Sequence, residues 1–198
     1  HLSGTPEPDG FKDLVTMMVP ADALRECAKR FGGTVTELLC AAMMQAHRGG
    51  VMTMLAEADR LNPAERDLDA PLVLCHTDLH PGNLLITDNG DFYIVDWDAP
   101  LLAPRERDLM FIGAGIGGTW NTAREAALFY RGYGAVEIDR AALAYYRYER
   151  IVEDIAAFCA QILPTAGPGE DRERGFGYFA SNFAPGGEIE TARRAEEG

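Results

Sequence analysis

The feature that most constrains the fold of this 198-residue chain is an Asn-Gly pair between two short apolar segments. The segments are Leu84–Ile86 and residues 92–95, and Asn89-Gly90 lies between them. Asn and Gly tolerate the positive φ angles that a tight hairpin turn requires. The sequence therefore predicts a β-hairpin whose two open ends meet at one edge.

Polar residues gather at those two open ends. His76, Asp78 and Asn83 precede the hairpin, and Asp96 and Asp98 follow it. The apolar run at residues 72–75 is interpreted as a buried strand that delivers the loop containing Asp78. Because the hairpin folds the chain back on itself, residues far apart in sequence at its two ends can still build one site.

These residue types suit phosphoryl transfer, which needs positioning and charge neutralisation more than covalent help from the protein. A carboxylate must orient or deprotonate the accepting hydroxyl, and Asp78 can do this. Mg²⁺ prefers oxygen ligands, which Asn83 and Asp96 can supply. Each residue alone is equally typical of a turn or a cap. The whole set in this order favours a site.

The order His76-x-Asp78-x-x-x-x-Asn83, followed by the segment Ile-Val-Asp-Trp-Asp at residues 94–98, resembles the aminoglycoside phosphotransferase family of kinase-like enzymes. Its spectinomycin-phosphotransferase-like branch is the most similar. The resemblance continues through residues 104–109 and through the tyrosine-rich segment at residues 145–150. It covers residues 71–195 and extends toward residue 50.

The resemblance implies an α+β fold: the C-terminal lobe of a protein-kinase-like architecture, mostly helical, with a small β-hairpin at the catalytic loop. It implies Asp78 as the catalytic base, with Asn83 and Asp96 as the ligands of Mg²⁺ and ATP as the phosphate donor. It also implies that His76 braces the catalytic loop and that Asp108 supports this loop from the following helix. The family's activity further implies a role in antibiotic resistance.

The acceptor implied by the resemblance is a small hydroxylated or cationic molecule, bound between the catalytic loop and the C-terminal helices. Acidic residues on those helices would attract a polycationic amino sugar, although charged helix faces are more commonly just solvated. We single out Glu153 and Asp154 as substrate-contact candidates because apolar residues surround them in the sequence. Asp98 is expected either to support the site from behind or to shape the acceptor pocket.

The N-terminal part of the chain does not fit a kinase-like ATP lobe. Residues 1–48 predict a strand at 14–19 and helices at 21–31 and 38–47, and Gly49-Gly50 predicts a break before residues 49–198, the C-lobe. Residues 1–48 carry five basic and six acidic residues, whereas residues 49–198 carry 13 and 25. The first 48 residues faintly resemble a piece of the condensation-type acyltransferase family, whose HHxxxDG motif is absent.

The chain has two lysines, Lys12 and Lys29, and neither follows a glycine-rich hairpin. We therefore expect the ATP-binding lobe to be missing and the chain to be a truncated phosphotransferase. The alternative is a non-catalytic C-lobe remnant, or a hybrid reading frame, that binds a small molecule but not nucleotide.

Other function classes are disfavoured. A net charge of −13 opposes nucleic acid as the main partner. No apolar run approaches the roughly 20 residues that span a membrane, and no signal peptide is visible. Four cysteines without metal-like spacing indicate reduced thiols in a cytoplasmic protein. The GxGxxG pattern at residues 113–118 lacks a βαβ context, so we interpret it as a loop rather than a dinucleotide site.

Overall fold

The computed structural model of the protein describes residues 20–63, 71–113, 122–162 and 170–197. The helices are α1 (Ala21–Arg30), α2 (Val35–Leu61), α3 (Glu106–Leu109), α4 (Ala123–Tyr133), α5 (Arg140–Ile162), α6 (Glu170–Ser181) and α7 (Glu188–Glu197). The strands are β1 (Leu72–Cys75), β2 (Leu84–Ile86), β3 (Phe92–Ile94) and β4 (Leu101–Pro104). The strand predicted at residues 14–19, and all but the first residue of the glycine pattern at 113–118, lie outside the described residues.

The chain divides into two compact units. The first contains residues 1–55 and 152–187, and the second contains residues 56–151 and 188–198. The domain boundary expected at residue 48 stays a prediction. The helix break expected at Gly49-Gly50 is wrong, because α2 continues through both glycines. Each glycine costs a helix only about 1 kcal/mol relative to alanine, and the flanking Ala, Met and Leu residues favour the helix.

In the first unit, aromatic side chains make the packing contacts. The ring of His47 on α2 stacks on Phe183 with centroids 4.6 Å apart, and Phe158 stacks on Tyr178 at 5.8 Å. Burial lowers the pKa of His47 below its ordinary value. The neutral imidazole thus packs as an aromatic ring in this unit.

In the second unit, the core forms between α5 and the segment around α3. Leu109, Met110 and Phe111 pack against Leu143 and Tyr146 of α5, and all five are buried. Helix α5 begins after Asp139, whose carboxylate accepts the backbone N–H groups of its first turn at 2.9 and 3.1 Å. Asp139 is a typical N-cap, so the local sequence itself marks the start of this helix.

Two antiparallel pairs of strands lie beside this core: β1 with β4, and β2 with β3. The interpretation of β1 as a buried strand is wrong for most of its length, because Leu72, Val73 and Leu74 are 61%, 40% and 63% exposed. Only Cys75 is fully buried, and burial raises the pKa of its thiol to about 11. Among the described residues β1 pairs only with β4, so no third strand covers it.

The hairpin of β2 and β3 turns at residues 87–91. Gly90 has a φ of 85° and donates its N–H to the Thr87 carbonyl at 2.9 Å. Large apolar side chains are exposed along both strands, including Ile86, Phe92 and Tyr93. None of the helices in the described ranges is long and apolar enough to cross a membrane.

One buried cation joins α5 to the segment after α3. Arg147 donates from Nε to the Met110 carbonyl at 2.9 Å and from Nη2 to the Ile112 carbonyl at 2.7 Å. Burial lowers the pKa of Arg147 to about 10, which still leaves the guanidinium charged at neutral pH. The two bonds fix the chain that follows α3 against the core helix.

Replacing Arg147 should therefore destabilise the fold. We expect Arg147→Met to lower the free energy of unfolding by about 2–4 kcal/mol, because two buried carbonyls lose their donor. Urea denaturation followed by circular dichroism measures this change. Arg140→Met, at the exposed start of the same helix, is the matched control and should stay within about 0.5 kcal/mol of the parent. Equal losses in both variants would contradict the role of these bonds.

Thr77, directly after β1 and His76, has an unusual backbone conformation. Its φ is 76°, in the left-handed region that β-branched residues rarely adopt. Its hydroxyl donates to the Ala99 carbonyl at 3.2 Å, and its backbone N–H donates to Asp108 at 2.7 Å. These contacts hold the residue in a conformation that its side chain disfavours.

At position 77, glycine should give a more stable protein than alanine, which is the reverse of the usual order of stability. We expect Thr77→Gly to be more stable than Thr77→Ala by about 1 kcal/mol, because a left-handed conformation penalises Cβ. Thermal and urea unfolding of both variants measure the difference. Ala127→Gly on the exposed face of α4 is the control, and it should lose about 1 kcal/mol. A Thr77→Ala variant as stable as Thr77→Gly would show that the left-handed conformation is not imposed in solution.

Candidate active site

The start of the loop after β1 is bound by the carboxylate of Asp108. Asp108 on α3 accepts the backbone N–H of His76 on Oδ2 at 2.8 Å and that of Thr77 on Oδ1 at 2.7 Å. Hydrogen bonds to an ionised acceptor are roughly twice as strong as neutral ones. Asp108 therefore fixes the start of this loop to α3.

His76 links the same loop to the end of β3. Its ring is 2% exposed, and Nε2 lies 2.8 Å from the Val95 carbonyl. Nδ1 accepts the backbone N–H of Asp78 at 3.3 Å. Since a carbonyl can only accept, Nε2 carries the proton and the imidazole is neutral. The ring of Trp97 meets His76 edge-on at 4.6 Å, which limits its rotation.

Asp78 is one-third exposed and stands at the centre of a polar cluster. Its Oδ1 accepts a hydrogen bond from Nη1 of Arg150 at 2.7 Å. Its Oδ2 lies 3.3 Å from the Asn83 amide nitrogen and 3.4 Å from Nε2 of His80. The carboxylate is thus held from several sides and still reachable from solvent.

Asn83 and Asp96 lie at the open ends of the hairpin. The Asn83 carbonyl accepts the Val95 N–H at 3.0 Å. Val95 therefore lies opposite Asn83, and Asp96 is the next residue in the chain. The Asn83 side-chain nitrogen donates to the Asp78 carbonyl at 2.8 Å, so its amide oxygen remains as the atom for a cation. Asp96 is exposed, with a φ of 67°. In the described part of the chain, no hydrogen bond to its carboxylate was found.

An amide oxygen beside a carboxylate fits Mg²⁺, which takes few protein ligands and fills its other positions with phosphate oxygens and water. The described residues contain no group of three or more His, Cys, Asp or Glu that could hold a metal by themselves. Asn83 and Asp96 thus suit a metal that arrives with phosphate rather than a closed structural metal site.

His80 also lies close to Asp78. Its Nδ1 accepts the Gly82 N–H at 3.0 Å, and a Cβ at Gly82 would lie 2.6 Å from the imidazole Cε1. Glycine at position 82 therefore allows the ring to fold back toward Asp78. The same ring meets Phe111 edge-on at 5.9 Å.

Three further residues were predicted for the site: Asp98, Glu153 and Asp154. Asp98 is exposed, and no hydrogen bond to its side chain was found in the ranges that the structure describes. Glu153 and Asp154 lie on the part of α5 that belongs to the first unit, whereas the cluster lies in the second. Their role as substrate contacts stays a prediction.

Sequence reasoning missed Arg150, which approaches Asp78 from 72 positions away. The tyrosine-rich segment that contains Arg150 carried part of the family resemblance, yet its cations received no role. The available signal was local: Arg150 is flanked at close helical spacing by Tyr146 and Ile151, which are both buried. A cation on a core-facing stripe usually has a partner.

A separate cleft of about 340 Å³ also lies in the second unit, and its lining shares no residue with the cluster around Asp78. Arg107 and Glu149 form an ion pair there, and the Tyr145 hydroxyl donates to Glu149 at 2.9 Å. Burial, followed by the contact with Glu149, raises the pKa of Tyr145 to about 12. Glu149 thus contacts both Arg107 and Tyr145 in this cleft, whereas Nε of Arg107 is buried with no hydrogen-bond partner among the described residues.

Comparison with known proteins places the chain in a family. The sequence matches the profile described as the phosphotransferase enzyme family over residues 30–146, more than half of the chain. Among curated proteins no sequence matches significantly.

Two crystal structures of spectinomycin phosphotransferase, APH(9)-Ia, are similar to the chain, each at 34% sequence identity. The complex with ADP and spectinomycin gives a TM-score of 0.73 over 89% of this chain. The AMP-bound complex gives 0.68 over 87%. The chain spans 56% of the length of each matched chain. The chain therefore belongs to the phosphotransferase enzyme family and has the kinase-like fold of the aminoglycoside phosphotransferases, helical with small antiparallel sheets, with the resemblance to spectinomycin phosphotransferase confirmed.

Proposed function

We propose that this protein is an ATP- and Mg²⁺-dependent O-phosphotransferase that acts on a hydroxyl of a small aminoglycoside- or aminocyclitol-like acceptor. The observation that carries the proposal is the grouping of Asp78, Asn83 and Asp96 at the open ends of one hairpin. The carboxylate of Asp78 has contacts with Arg150, Asn83 and His80, and the side chain is still one-third exposed. The family membership and the likeness to an enzyme crystallised with ADP and spectinomycin support the same reaction class.

In the proposed reaction, Asp78 accepts a hydrogen bond from the acceptor hydroxyl and takes its proton. The hydroxyl oxygen forms the new bond to the γ-phosphorus of ATP. The bond between this phosphorus and the β–γ bridging oxygen breaks, and ADP leaves with that oxygen. Because the transferred group passes through a loose transition state, orientation of the hydroxyl matters more than the strength of the base. His76 and Asp108 contribute by fixing the backbone on which Asp78 stands.

Asn83 and Asp96 would hold Mg²⁺, which when bound neutralises the charge on the phosphates. The two residues contribute different chemistry to that task. Asp96 provides negative charge, and Asn83 provides a neutral oxygen whose orientation is fixed by the bond from its nitrogen to the Asp78 carbonyl. The same amide thereby couples the position of the metal ligand to that of the proposed base.

A cationic acceptor is supported by the charge of the segment that forms the site. Residues 71–104 contain five aspartates and neither Lys nor Arg. A surface of one sign raises the local concentration of ligands of the opposite sign. Amino sugars and aminocyclitols carry both the ammonium groups and the hydroxyls that such a site would select.

The alternative function is a chain that binds a small molecule but not nucleotide. Its supporting observation concerns the two lysines. Lys29 lies on α1, where its ammonium pairs with Glu26 at 3.1 Å on the exposed helix surface. Lys12 lies outside the described residues. In the described ranges, then, no lysine is placed on a strand where it could bind phosphates.

Removing the charge of the proposed base tests the reaction. We expect Asp78→Asn to reduce phosphate transfer by at least about 10³-fold, since the amide cannot take the hydroxyl proton. Transfer of radiolabelled phosphate from ATP to spectinomycin or a panel of aminoglycosides measures this. Asp88→Asn, in the exposed hairpin turn, is the matched control and should retain activity. Turnover that persists in a folded Asp78→Asn protein would exclude Asp78 as the base.

Nucleotide binding separates the two candidate functions without requiring turnover. At 100 times its dissociation constant, Mg·ATP should stabilise the folded chain by about 2.7 kcal/mol and raise Tm by about 5–10 °C. Differential scanning fluorimetry measures the shift. ATP with EDTA, and Asp96→Asn with Mg·ATP, should both give a smaller shift. A Tm raised by an aminocyclitol but unchanged by Mg·ATP would instead establish the alternative.

A further inference from the structure

The Asp78 carboxylate is held unequally on its two oxygens. The contact from Nη1 of Arg150 to Oδ1 is 2.7 Å, a typical charge-assisted hydrogen bond. The contacts to Oδ2 from Asn83 and His80 are 3.3 and 3.4 Å, near the limit at which a hydrogen bond still contributes. Oδ1 is therefore the fixed oxygen, and Oδ2 is the one that can exchange partners.

Arg150 is itself held in place from the core. Its guanidinium carbon lies 5.7 Å from the centroid of the Phe111 ring, within cation–π range. Phe111 is 2% exposed and belongs to the core cluster that also contains Leu143 and Tyr146. The ring of His80 contacts the same Phe111 ring. One buried aromatic ring thus contacts two of the side chains that reach the opposite oxygens of Asp78.

We propose that Arg150 is a positioning residue for the phosphotransferase reaction. Its guanidinium, fixed on Phe111, holds Oδ1 so that Oδ2 is presented to the acceptor hydroxyl. This inference rests on the proposed function for its catalytic consequence. The contact itself is a property of the folded chain and can be tested separately.

The catalytic consequence is a loss of orientation rather than of substrate binding. Arg150→Met should lower kcat by about 10- to 100-fold, the usual cost of a misplaced reacting group. KM for ATP should stay within about twofold, because the contact that the substitution removes is the one to Asp78. Arg150→Lys should recover most of kcat, because one nitrogen makes the contact and an ammonium can replace it. Arg140→Met and Arg140→Lys are the matched controls on the same helix.

The structural arm of the test needs no turnover. Urea unfolding of the parent, Arg150→Met, Asp78→Asn and the double variant forms a cycle that isolates the interaction between the two residues. We expect the unfolding equilibrium constant to show a departure from additivity of about two- to fivefold, as is usual for a partly exposed ion pair. Asp88→Asn combined with Arg150→Met is the control cycle and should be additive.

The outcomes distinguish a failure of the proposed role of Arg150 from a failure of the proposed function. Non-additivity together with a kcat loss rescued by lysine supports the proposal. An additive cycle overturns it whatever the turnover, and so does a raised KM for ATP with kcat unchanged, which would make Arg150 a nucleotide contact. If the parent chain transfers no phosphate to any acceptor, the proposed function is wrong, and the catalytic role of Arg150 is then wrong as well. The cycle would then report only whether Arg150 and Asp78 interact.

Discussion

The geometry of the site depends on one carboxylate that accepts two consecutive backbone N–H groups. Asp108 binds the amides of His76 and Thr77 at 2.8 and 2.7 Å. Successive N–H groups converge on one anion when one of the residues adopts a left-handed conformation, as Thr77 does. The chain direction at Asp78 follows from that turn. The neutral tautomer of His76 then ties the loop to β3, so Asp108 indirectly sets the distance between the two open ends of the hairpin.

Local interactions explain which parts of this arrangement could be predicted from the sequence. The hairpin strands end within one residue of the expected positions. This is because a tight turn with glycine at position 90 determines which flanking residues pair as strands. Helix α5 begins where Asp139 caps it. Local interactions do not explain the choice of the six candidate site residues. Their order in the sequence resembles that of a known family, and this resemblance suggested them: His76, Asp78, Asn83, Asp96, Asp98 and Asp108.

Interactions between distant segments explain what could not be predicted. Strand β4 ends in proline and shows no alternation, and its pairing with β1 closes a loop of more than twenty residues. The apolar run of β1 indicated burial, but apolar composition does not specify which element will cover a strand. The two glycines of α2 favoured a break, yet the helix is continuous through both, and the flanking Ala, Met and Leu residues have high helix propensity. The spacing of Arg150 to buried residues on α5 indicates that it has a partner, but nothing in the sequence indicates that the partner is Asp78.

The charges of the site show why that pair matters for the proposed reaction. The segment that builds the site supplies aspartates and no Lys or Arg. Left alone, such a segment would have carboxylates that repel one another and have no fixed orientation. A cation from α5 fixes Asp78, whereas Asp96 shows no such partner among the described residues. A cation thus pairs with Asp78, the proposed base, whereas among the described residues none pairs with Asp96, the proposed metal ligand. In the proposed reaction, a cation from a helix distant in sequence orients Asp78 while residues 71–104 themselves keep only negative charge for the proposed metal and acceptor.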